Sequence, residues 1–196
     1  VDFDLFARAA DPSTPLAPAA AGLRRPVIGF FGLLADWIDV PLLAHLARSR
    51  PEWTLLLVGH ASTDLSPFDG LPNVVRVGPQ PYDSLPGWAK AFDVAVMPYR
   101  MNRQVLNANP LKLREYLATG KPVVSVPTPE VARFLPHVRL AEGAEAFLKE
   151  VEAALTDHDD AARQARMQSV RHMSWDARVG EVLAVVSRHM DGVRRS

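Results

Sequence analysis

Six short apolar runs alternate with stretches of helical spacing along the 196 residues, and that alternation limits the fold more than any other feature. The runs are 27–32, 53–58, 73–78, 93–98, 121–126 and 138–141, and most end at glycine or proline. Runs that stay apolar at consecutive positions belong to strands covered on both faces. Strands joined through helices pair in parallel, by right-handed crossovers. The expectation is therefore an α/β fold: a doubly wound, Rossmann-like parallel sheet of about six strands with helices on both faces. Helices are expected over 40–50, 144–156, 157–170 and from Ser174 to about His189, with 138–141 as an edge strand. Residues 7–24 carry Pro12, Pro15 and Pro18 among Ala and Ser, which is linker composition with little to pack. Residues 1–24 are thus read as an extension or tether, and 25–196 as the domain.

Composition excludes several classes. With 48% apolar residues the chain can bury a sizeable core, and its 22 basic residues balance 22 acidic ones. No global field draws it to nucleic acid or an anionic membrane. The absence of cysteine rules out disulfides and cysteine-based zinc sites. None of the six histidines has metal-ligand spacing, and no apolar run approaches the roughly 20 residues that span a bilayer. Peripheral membrane contact stays open.

The most informative stretch runs from Asn109 to Val124. Asn109 is a suitable N-cap, and Pro110 stands where a missing N–H costs nothing. Gly120 and Pro122 end the helix before an apolar strand. Leu113, Tyr116 and Leu117 share one face, and Lys112 lies beside Glu115 on the next. A helix start with free N–H groups, one cation and one carboxylate suits a phosphorylated, hydroxylated ligand. Gly29 and Gly32 end the first strand, where the backbone could approach such a ligand. They do not form a dinucleotide fingerprint, because its remaining glycines are missing.

The run from Leu113 to Val124 resembles, without a break, the donor-site helix of GT-B fold glycosyltransferases of group 1. In that family the pattern is Glu-aromatic-Leu/Met-Ala-x-Gly-x-Pro-Val-Val, in the C-terminal half that binds the nucleotide sugar. Similar patterns extend from about Arg25 to Val186. Val1 to Phe6 resembles the segment joining the two halves, so the resemblance implies that an N-terminal, acceptor-binding domain is missing from this chain. It implies a UDP- or GDP-sugar as donor, a glycan, lipid-linked or small-molecule acceptor, no metal and no further cofactor. Gln80 and Tyr82 stand where the family holds the nucleobase, and Glu115 where it holds ribose hydroxyls. Asn109, Pro110 and Leu111 open the helix toward the diphosphate, with Arg100, Arg103 and Lys112 as its cations. Two departures stand out. Asn107 replaces the family's first acid, and Leu33, Leu34 and Ala35 replace a basic loop residue. No residue presents itself as nucleophile or general base, so the chain alone is expected to be inactive. The setting implied is cytoplasmic, including the inner face of the membrane. An epimerase of the same fold, or an interaction domain with a vestigial cleft, are the alternatives.

Overall fold

The computed structural model describes residues 1–157 and 159–193. Six parallel strands form one sheet in the order β3-β2-β1-β4-β5-β6: β1 (Val27–Phe31), β2 (Thr54–Val58), β3 (Val74–Val77), β4 (Val94–Met97), β5 (Val123–Ser125) and β6 (Arg139–Leu140). The expected parallel sheet is borne out, and each strand lies inside its expected run. β1 sits centrally, with Ile28 opposite both Leu55 and Val94. The strand order reverses between β1 and β4, so a crevice opens beyond their carboxyl ends.

Two apolar layers cover the sheet. On one face, Val27, Phe31, Leu56, Ala95 and Met97 pack under α1 (Phe3–Ala7), α3 (Leu85–Ala91), α5 (Leu111–Ala118) and α8 (Asp160–Arg171). On the other, Ile28, Phe30, Leu55, Leu57, Val94 and Val96 pack under α2 (Val40–Ser49) and α7 (Ala144–Ala154). Neighbours in a strand point to opposite faces, and both faces are covered. That is why these runs hold no polar alternation.

The reading of residues 7–24 as a tether is corrected. Asp2 caps α1 through the Leu5 amide, and Phe3, Phe6, Ala9, Ala17 and Ala20 are buried in the first layer. The Lys90 ammonium donates to the Asp11, Pro12 and Thr14 carbonyls at 2.7, 3.0 and 2.6 Å, and Ala17 N–H donates to the Gly87 carbonyl. A Cβ on Gly87 would stand 3.0 Å from the Pro15 oxygen, so glycine permits this close pass. The segment packs through backbone groups and small side chains, which composition does not reveal.

The loop after β4 is also more ordered than expected. It contains α4 (Arg103–Leu106), capped by the Asn102 side chain on the Val105 amide. The short α6 (Pro129–Ala132) follows β5. α9 (Trp175–Val193) starts at Ser174, whose hydroxyl accepts from Ala177 N–H. Trp175, Val179, Val182, Leu183, Val185 and Val186 of α9 are all exposed. No described helix is long and apolar enough to cross a membrane.

Candidate functional site at the carboxyl rim of the sheet

Four of the expected residues meet at the rim: Gly32, Tyr82, Lys112 and Glu115. Tyr116 makes the meeting possible. Its hydroxyl accepts from Phe31 N–H at 2.9 Å and donates to the Phe31 carbonyl at 3.3 Å, both fully buried. Burial pushes its pKa well above the ordinary 10, so it stays a neutral donor and acceptor. With Tyr116 bound to the end of β1, the residue one turn earlier on α5 must overlie that same end. Lys112 does so, with Nζ 4.4 Å from the Phe31 ring centre. A Cβ on Gly32 would come within 3.1 Å of the Lys112 Cε. Gly32, at φ +140°, in turn touches Gly59, where a Cβ would strike the Gly32 carbonyl oxygen at 2.0 Å. Gly59 is required by that approach of backbone to backbone, and Gly32 by its positive φ.

Glu115 lies deeper than the sequence suggests, only 2% exposed. It has polar partners there rather than hydrocarbon alone. The Lys112 ammonium stands 2.8 Å from Oε2, and the Tyr82 hydroxyl donates to Oε1 at 3.3 Å. Oε2 has no directed hydrogen bond among the described residues, so its contact with Lys112 is electrostatic. Burial first, then the Glu115 charge, pushes the Tyr82 and Tyr99 phenols up to about 12. Phe6 stacks on Phe31 at 5.6 Å and meets Tyr82 edge-on. Phe6, Phe31 and Gly59 therefore belong to the site although sequence spacing did not point to them. Their only sequence signal is a place at strand ends or in the Val1–Phe6 segment.

The other expected residues are distributed differently. Gly29 faces away from the rim in mid-strand, where a Cβ would strike the Phe92 ring at 2.1 Å, so its role is packing. The Asn109 cap is corrected: Pro110 occupies the cap position of α5 without a side-chain bond, and the Asn109 amide oxygen accepts from Arg114 instead. The first amides of α5, at Leu111 and Lys112, are consequently left without a side-chain cap. Gln80 donates to its neighbour's carbonyl at Pro79. Arg100, Arg103 and Asn107 are exposed, the last donating to the Arg103 carbonyl. No hydrogen bond or ion pair joins these three to Lys112 or Glu115 among the described residues. Nor do three His, Asp or Glu side chains there converge as a metal-ligand set.

Chemically, the rim offers a cation, uncapped helix amides and open glycine backbone on one side, and a carboxylate on the other. The first group suits a diphosphate and the second a pair of hydroxyls. A separate cavity of about 700 Å³ lies at the opposite rim, lined by Arg25, Asp93, Lys121, Asp157, Arg163 and Arg166 among others.

The family profile described as "Glycosyl transferases group 1" matches residues 25–157. A protein of Bacillus subtilis (strain 168), named as a candidate teichuronic acid biosynthesis glycosyltransferase, TuaH, is 28% identical over 192 residues. The match covers 93% of this chain and 48% of that protein. Among solved structures, Anabaena HepE in complex with UDP and glucose matches with a TM-score of 0.67 at 17% identity, over 95% of this chain and 55% of HepE. Sucrose-phosphate synthase from Thermosynechococcus elongatus matches with a TM-score of 0.70 at 20% identity, over 98% and 51%. The chain thus spans about half the length of these relatives.

Proposed function

The chain belongs to the group 1 glycosyl transferases, and from that premise we propose that it holds the nucleoside diphosphate of a sugar donor at the rim formed by Gly32, Lys112 and Glu115. The sugar passes to an acceptor bound by a preceding domain. The observation that carries this reading is the buried Glu115 carboxylate, whose Oε2 has the Lys112 ion pair at 2.8 Å and no other partner among the described residues. Moving Lys112 away would leave a buried acid that something must complete. Two ribose hydroxyls would do so, displacing Lys112 toward the diphosphate.

During transfer, negative charge gathers on the leaving diphosphate. Lys112 and the uncapped amides of α5 are aimed at that charge, so they stabilise the transition state more than the bound donor. Tyr82, nearly half exposed, is positioned to lie against a base. HepE was crystallised with UDP and glucose, so a uridine donor is the first to try here. The preceding domain would cover the exposed apolar stripe of α9. The reaction is assigned to the cytoplasm, at or away from the inner face of the membrane. The convergence of Lys112, Tyr82 and Glu115 favours a working cleft over a vestigial one.

Calorimetric titration with UDP and with GDP tests the proposal. One of the two should bind. Glu115→Gln should weaken that binding about tenfold or more, as loss of charge-assisted hydrogen bonds does, with an unchanged circular dichroism spectrum. No heat from either nucleotide at millimolar concentration would refute the reading.

A further inference from the structure

On the far side of α5 from Lys112 and Glu115, a second pocket of about 360 Å³ opens between the start of α5, α6, the end of α8 and the start of α9. Its ionisable lining is Arg114, Arg133, Arg178, His137 and His172 against a single acid, Glu130. That acid is already shared, 2.7 Å from Arg114 and 3.1 Å from Arg133. Arg114 is a fixed wall, its side chain 12% exposed and held also by Asn109, the Pro110 carbonyl and the Met173 sulfur. Arg133 and Arg178 keep unspent donors, with side chains 75% and 54% exposed. The partner of Arg178, Glu181, sits one turn away at the surface, in an exposed pair that adds little. Neither imidazole makes a hydrogen bond among the described residues.

This is a local positive excess on a chain whose charges otherwise balance. The larger cavity at the opposite rim differs, because its three arginines are answered in place by Asp93, Asp157 and Asp160. Guanidinium groups present planar forks that match phosphate oxygens. The pocket is too small for a nucleic-acid backbone to track but of the right size for one or two phosphates. We infer that it is a second anion site, separate from the donor crevice, which takes a phosphate or diphosphate group either free in solution or carried on a lipid.

The test records amide shifts of the UDP-saturated chain during titration with inorganic pyrophosphate. His137, Ser169 and His172 should shift in a saturable way. In the double variant Arg133→Glu/Arg178→Glu those shifts should require about tenfold more pyrophosphate, with UDP binding unaltered. Should UDP itself fail to bind, the donor reading falls, while shifts at these residues would still support the second site. Flotation with phosphatidylglycerol vesicles but not phosphatidylcholine vesicles, lost in the double variant, would assign the phosphate to a lipid. Pyrophosphate shifts without flotation would assign it to a soluble ligand. Shifts confined to Gly32 and Lys112, or shifts at His137 and His172 unchanged in the double variant, would overturn the inference.

Discussion

Lys121 shows how one side chain can set a pH dependence. Burial lowers its pKa from the ordinary 10.5 to about 8, against the nearby Asp93 carboxylate that raises it, and among the described residues its ammonium finds only the Lys90 carbonyl, at 3.1 Å. Below about 8 both folded and unfolded chains carry the proton, and the full burial cost opposes folding. Between about 8 and 10.5 the unfolded chain alone binds it, so raising the pH favours the fold. Above 10.5 the cost is gone. Urea unfolding between pH 7 and 9.5 should therefore show stability rising with pH in the wild type, and a flatter profile in Lys121→Met. Equal slopes would show that Lys121 is not the group responsible. Nothing in the sequence announced this residue. It occupies the variable place of Gly-x-Pro, and its burial comes from chain segments far from it in sequence.

At the scale of elements, α5 is the part that the site depends on, and Tyr116 is what fixes it to β1. Tyr116→Phe keeps the ring and leaves a buried Phe31 amide and carbonyl unanswered. The expected loss is about 1–3 kcal/mol of stability, read from chemical denaturation, together with weaker UDP binding as Lys112 drifts from Gly32. A variant as stable as the wild type would show that α5 is held by its apolar face alone. The strands and the long helices were legible because each is a period of apolar residues closed by Gly, Pro or a capping side chain. The pairing of Lys112 with Glu115 was legible for the same reason, being one helical turn. The contact of Tyr82 with Glu115 crosses 33 positions, and α4 is a four-residue turn with no period to read. The packing of residues 7–24 rests on Lys90 and Gly87, neither of which carries a pattern. Asn109 was misplaced because a short polar side chain before a helix can turn to a cation as readily as to an amide.

For the molecule as a whole, the exposed stripe of α9 is the clearest sign of something larger. Trp175, Val179, Val182 and Leu183 present contiguous apolar surface that an isolated domain has no reason to keep. On the present reading the preceding domain covers it. Val182→Asp should then change the stability of residues 1–196 by no more than about 0.5 kcal/mol, the range of a surface substitution. In a longer chain that carries the proposed preceding domain, the same change should lower the thermal midpoint measurably. Equal effects in both would leave the stripe without that partner. A crystal structure of this chain grown with UDP shows directly where a nucleoside diphosphate sits. The prediction is ribose hydroxyls on the Glu115 carboxylate and phosphate oxygens at Lys112 and Gly32, with the Lys112–Glu115 pair opened. UDP lodged instead in the opposite cavity, beside Lys121 and Arg163 with that pair still closed, would contradict it.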